Sequence, residues 1–316
     1  MDKIKLGISA CLTGEKVRYD GQHKLDHYLM DILGKFVEYV PVCPEVGCGM
    51  TVPREAMRLV GDKDSPRLMT IRTQVDKTDI MVAWAKPELD RLAQEDLCGF
   101  VFKSKSPSSG MSFVKIYNSG AGIPVKNGVG IFARMFMERF PLLPVEDEGR
   151  LHDDRLRENF IERVFAYARW RDYERNDNTV KGLMDFHSRH KLLLMAHQSA
   201  AVARLGRLVA GATPATLEDC KKQYLPEFLK AMSCQATARK HVNVLQHILG
   251  YFKKDLTADE KAEMLELISR FHAGRLPLIV PVTMLAHFVR KYHQPYLMGQ
   301  YYLEPGPEEL ALRNHV

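Results

Sequence analysis

Ile8-Ser9-Ala10-Cys11-Leu12 closes an apolar, strand-like run that begins at Lys5, and the reading of this junction decides the fold. Lys3 to Ser9 alternates and is rich in β-formers, as a first strand should be, and a cysteine follows at once. The arrangement recurs twice. Val37 to Val42 leads into Cys43-Pro44-Glu45, and Gly99 to Lys103 leads into Ser106-Pro107-Ser108-Ser109-Gly110. A fourth stretch, Arg18-Tyr19-Asp20-Gly21, reads as a loop closed by Asp-Gly turn chemistry. In an open parallel α/β sheet, ligands bind in the crevice outside the carboxyl ends of the strands. The junctions and the loop therefore predict one pocket holding two cysteines, a carboxylate, three serines and a Gly-rich turn.

Each of these residues also has a plainer reading. A cysteine at a strand end is commonly a small buried hydrophobe. Glu45 reads equally as a surface or helix N-terminal acid, and the Arg18 loop as simple chain closure. Pro44 holds Cys43 and Glu45 on a stiff turn, and a carboxylate beside a metal-bound sulfur is what activation of a water needs. Cys48 and Cys98 read as packing residues.

Composition sets the frame. A chain of 316 residues suits two domains. Its 46% apolar and 27% charged content is that of a globular protein. MDKIKLGISACL lacks the apolar region of a signal peptide, and Leu276 to Val289 is broken by Pro277 and Pro281, so a cytoplasmic location is expected. Six cysteines do not make a disulfide scaffold at this length. Residues 1–150 carry a net charge of +1 and the remainder +5, with ten of the twelve histidines also in the second part. A basic excess confined to one half permits polyanion binding and equally fits a solvated surface.

Further along, helical patterns cover His27 to Phe36, Asp79 to Glu95 and Val129 to Phe140, with Pro87 expected to kink or split the second. Leu68 to Thr73 reads as another strand, Gly120 to Gly128 as turn-rich, and Pro141 to Glu148 as a linker. The predicted fold is α/β plus all-α: an N-terminal doubly wound, mostly parallel sheet domain over 1–145 and a C-terminal helical bundle over 146–316. In the bundle, Thr257 and Glu260 fit a capping box, with Gly274 as the stop. His187, His190 and His197 read better as a basic helix surface than as a metal face. Basic sets at 169–175, 189–191, 204–207, 221–222 and 239–240 are the expected phosphate contacts if nucleic acid binds.

Taken together, ACL (10–12), VRYDG (17–21), VCPE (42–45) with VPR (52–54), and KSPSxG (105–110) resemble the thiouracil desulfidase family. From about Pro141 onward, LLPVEDEGRL, LRENFIERVFAYARW and YLMGQYYLEPGPEEL resemble the helical domain fused to it in bacterial tRNA 4-thiouridine desulfidases. The resemblance implies a 4Fe–4S cluster held from three motifs, with Cys11 and Cys43 as ligands and Ser109 at the third ligand position. It implies Glu45 and Ser106 as catalytic groups, Arg18, Tyr19, Asp20, Arg54 and Ser108 as substrate contacts, and tRNA containing 4-thiouridine as partner. The implied reaction converts 4-thiouridine to uridine with release of sulfide and no net redox change, the thiocarbonyl sulfur binding an open iron. Ser109 departs from the family pattern, because a hydroxyl is a far poorer ligand for cluster iron than a thiolate. Three readings stand for it: a natural loss of activity, a Cys→Ser replacement that disables the site, and an oxygen-ligated cluster of low stability. A free-thiouracil desulfidase and a non-catalytic RNA-binding protein remain the alternative functions.

Overall fold

The computed structural model describes residues 3–118 and 123–314. The chain divides into two compact units, Met1–Asp153 and Asp154–Val316. The first contains two four-stranded sheets where the sequence suggests one. One sheet joins β1 (Ile4–Ser9), β2 (Val37–Val42), β5 (Phe100–Phe102) and β8 (Val145–Asp147) in the order β2-β1-β5-β8, every pair parallel. The other joins β3 (Met57–Val60), β4 (Arg67–Thr70), β6 (Val114–Tyr117) and β7 (Val125–Gly128) in the order β4-β3-β6-β7 and is mixed.

Register in the parallel sheet brings four strand ends level. Ser9 pairs with Val42, Ile8 with Val101 and Phe102 with Asp147. The sheet is buried on both faces: in the parallel register Leu6, Ile8 and Val101 share one face and Phe100 and Phe102 the other, and all five are buried. Phe102 meets Phe136 of α3 (Ile131–Arg139) edge-on, with ring centroids 5.4 Å apart.

Several expectations change. Within the stretch expected to be a linker, Val145–Asp147 form the edge strand β8, pairing with β5 while Glu146 and Asp147 are buried. Pro87 neither breaks nor divides α2 (Thr78–Gln94), which runs through it. His27 to Phe36 forms a π turn and a 3-10 turn rather than an α-helix. Of the stretch expected to be turn-rich, residues 120–122 lie outside the described residues, and 125–128 is strand.

The second unit is helical throughout, with α4 (Asp154–Asn176), α5 (Val180–Ala210), α6 (Leu217–Met232), α7 (Ala238–Leu249), α8 (Ala258–His272), α9 (Ile279–Lys291) and the short α10 (Pro295–Met298). Both halves of the Thr257–Glu260 capping box are made, and Gly274 takes a left-handed φ of +68° just past the end of α8. The expected basic histidine surface is instead core. His187, His190 and His197 are buried, bonded respectively to the Tyr224 hydroxyl, the Phe186 carbonyl and Glu162. They lie on the apolar stripe of α5 with Leu183, Leu194 and Ala201. No helix among the described residues is long and apolar enough to cross a membrane.

Gly47 ends α1 (Pro44–Gly47) directly against α2: a Cβ there would lie 2.4 Å from the Trp84 ring. This close approach seats the Cys43-Pro44-Glu45 turn. Gly47→Ala is therefore expected to destabilise the first unit by about 1–3 kcal/mol through overpacking. The fall in urea midpoint reads this, and the same change should cost less in a Trp84→Leu background.

Candidate active site

Because the strands of the parallel sheet end level, the residues after them enter one cleft. Cys11 follows β1 in a 3-10 turn, Cys43 caps α1 after β2, Lys103 and Ser104 follow β5, and Glu148 follows β8. They surround a cavity of about 600 Å³ together with Arg18, Tyr19, Glu45, Arg54, Ser106 and Ser109. Two of the residues expected to touch substrate do not line it. Asp20 is exposed and bonds back to Arg18 and to the Gln22 amide. Ser108 is fully buried behind the wall.

Glu45 is the hub of the polar network. One of its oxygens accepts a 2.5 Å hydrogen bond from the Ser108 hydroxyl, which lies 2.9 Å from that of Ser106. Its other oxygen accepts from the Cys43 thiol at 3.5 Å and faces the Arg54 guanidinium at 3.8 Å. A hydroxyl pair thus connects the cavity wall to a carboxylate that also touches a thiol, a path along which a proton can pass. Ser106 Oγ also accepts from the backbone N–H groups of Ser108 and Ser109, which fixes the SPSSG turn. The turn leans on α3: a Cβ on Gly130 would lie 2.5 Å from the Ser108 backbone.

The sequence reading overlooks a second acid–base pair. The Lys103 ammonium is ion-paired with Glu148, whose other oxygen accepts from the Ser104 amide at 2.6 Å. Register could have revealed it, since β8 ends level with β5, but only once 145–147 is recognised as a strand. With Lys24 and Lys105, the lining holds five cations, Arg18, Lys24, Arg54, Lys103 and Lys105, against two carboxylates. An anionic occupant is favoured there.

Burial raises the Cys11 thiol to about 11, although Lys103 and Arg18 pull it down. It raises Cys43 to about 12, with Glu45 adding to the shift and Arg54 opposing it. Both are neutral thiols at pH 7 and give up protons only to a metal or a strong base. Ser109, only 4% exposed, presents a hydroxyl 3.4 Å from that of Ser108. Among the described residues, no group of three His, Cys, Asp or Glu side chains is arranged to hold a metal ion. Two soft thiols and one hard hydroxyl do not complete a three-thiolate cluster site.

The comparisons with known proteins follow the domain division. The family model "2-thiouracil desulfurase" matches residues 6–148, and "Protein of unknown function (DUF1722)" matches residues 191–307. The Escherichia coli (strain K12) protein named "Uncharacterized protein YbgA" is 32% identical over 153 residues, 48% of this chain and 90% of its own length. The Bacillus subtilis (strain 168) protein named "Uncharacterized protein YbbK" is 25% identical over 137 residues, 42% of this chain and 88% of its own. A solved structure titled [4Fe-4S]-dependent thiouracil desulfidase TudS shares 29% identity, with a TM-score of 0.39, over 48% of this chain and 95% of its own.

The raised thiols predict a pH signature. In the metal-free chain, Cys11 and Cys43 should alkylate with iodoacetamide far more slowly than a free cysteine at pH 8 and accelerate only above about pH 10. Residue-resolved mass spectrometry reads the rates. Both groups titrate higher in the folded state, so their contribution to stability is intact below about pH 9 and is lost as pH rises through 11–12.

Proposed function

Since the chain belongs to the 2-thiouracil desulfurase family, with a DUF1722 domain after the desulfurase domain, we propose that its cavity is built to remove sulfur from 4-thiouridine in tRNA. The observation that carries this reading is the convergence of Cys11, Cys43 and the Glu45–Ser108–Ser106 path on one positively charged cavity. Replacing a thiocarbonyl sulfur by oxygen needs a group that handles a water's protons and an environment that tolerates departing hydrosulfide. Glu45 meets the first need, connected to Ser106 through Ser108 and beside Arg54. Five lining cations meet the second. The Lys103–Glu148 pair holds the Ser104 backbone at the far wall.

A 4Fe–4S cluster is the cofactor that the family resemblance implies, and Ser109 stands at its third ligand position. As the chain stands, its donor set is one thiolate short. Replacing Ser109 by cysteine completes the set with a change of one atom, so the fold is expected to survive. A base within folded tRNA must leave its stack to reach the cavity, as other base-modifying enzymes require.

Several of the basic residues expected to meet phosphate in the helical unit are engaged within it. Arg169 lies 3.8 Å over the Tyr301 ring and donates to the Pro305 carbonyl. Lys221 is buried against Glu218 and Glu174, and Lys240 donates to the carbonyls of His197 and Gln235. These contacts leave the free base as a second substrate to test.

The test is anaerobic iron–sulfur reconstitution of the chain beside its Ser109→Cys variant, with sulfide measured from thiolated tRNA and from free 4-thiouracil. The variant is expected to hold more iron and release sulfide, and Glu45→Gln in that background to slow release by roughly 10²–10⁴-fold. No sulfide from either chain with either substrate would sink the reading.

A further inference from the structure

Outside the cavity, the face of the mixed sheet carries a groove of about 460 Å³ that shares Met57, Lys105 and Pro107 with it. The groove contains Arg58, Lys105, Lys115 and Lys126 and no acidic residue. Two features are not explained by the fold. Lys115 on β6 and Lys126 on β7 are direct cross-strand partners and both exposed, and like charges so placed destabilise a sheet. Lys105 and Phe113, at the two flanks of the SPSSG turn, both hold left-handed φ angles, of 59° and 53°. Such strain in non-glycine residues clusters at functional sites. It leaves the Phe113 ring 63% exposed beside the groove's lysines. Across the groove, the Arg58 guanidinium lies 4.9 Å from the Tyr117 ring centroid, a second flat surface.

We propose that this groove is the track for the single-stranded RNA that flanks the thiolated base. Lysines 105, 115 and 126 would meet successive phosphates, and Phe113 would stack a neighbouring base. Unpartnered cations beside an exposed aromatic ring are the chemistry of single-strand binding. None of the three lysines makes an ion pair among the described residues. Continuity with the cavity at Lys105 and Pro107 puts such a strand within reach of the reacting position. The inference rests on the proposed desulfidase reading for the identity of the base, but not for the binding itself.

The experiment uses the full chain and a labelled seven-nucleotide RNA with 4-thiouridine at its centre, followed by fluorescence anisotropy across a salt series. Lys126→Glu should weaken binding about tenfold and lower the salt slope by about one, and Phe113→Ala should cost about tenfold. Lys115→Glu should weaken binding while raising the thermal midpoint, because it turns a repulsive cross-strand pair into an attractive one. A merely structural lysine would not move the two in opposite directions. Lys86→Glu on α2, far from the groove in sequence and exposed, should change neither.

Affinities within twofold of the parent for all three groove variants overturn the proposal, as does a parent chain that fails to bind the RNA. Sulfide release from free 4-thiouridine nucleoside by reconstituted Ser109→Cys separates the two readings. If release occurs while the groove variants bind RNA normally, the groove falls and the desulfidase reading stands. If groove-dependent binding persists without release, the groove stands alone.

Discussion

The pairing of Ser9 with Val42 is the constraint on which the first unit depends. Parallel strands in register finish at the same height, so chain segments distant in sequence emerge side by side. Cys11 and Cys43 owe their meeting to this alignment, and its continuation through the β1–β5 and β5–β8 pairs brings in Lys103 and Glu148. A slip of one residue in β1 would turn Leu6 and Ile8 to the other face of the sheet and carry Cys11 out of the cleft. Gly7 makes such a slip costly: a Cβ at its place would lie 2.1 Å from the Phe100 ring, so a residue with a side chain moved into that register would clash.

Electrostatics then set what the cleft can hold. Burial keeps both thiols protonated in the absence of metal, while Lys103, Arg18 and Arg54 favour their ionised forms. The site therefore favours thiolates only when something replaces their protons. Excess positive charge around the cavity suits that state and also suits departing hydrosulfide or a nearby phosphate. The same charge continues onto the mixed sheet, where Lys115 faces Lys126 without a carboxylate in the groove between them.

The helical unit places its polar residues differently. Burial pushes the Glu162 carboxyl up, but hydrogen bonding to His197 at 3.0 Å and the Arg313 guanidinium at 3.1 Å outweigh it and hold the carboxyl well below the usual carboxylate range. Charges that composition suggests are available to a polyanion thus serve the interior. Net charge constrains the field around a domain but does not say which cations are engaged within it.

By itself, the sequence determined the strands that carry the motifs, most of the residues that line the cleft and the helical character of the second half. Those features are local: alternation marks β1, proline stiffens the turn at Cys43, and Thr257 with Glu260 writes its own cap. Only the tertiary structure decided that 145–147 is a sheet edge and that the mixed sheet is separate. It also decided that Ser108 lies behind the wall rather than in it, and that the histidines of α5 are core. A three-residue strand such as β8 carries too little pattern to declare itself, and its pairing energy comes from β5 across a long stretch of chain. The partners of Glu45, Glu148 and His197 are likewise set by packing between segments dozens of residues apart, and no periodicity within a single segment encodes them.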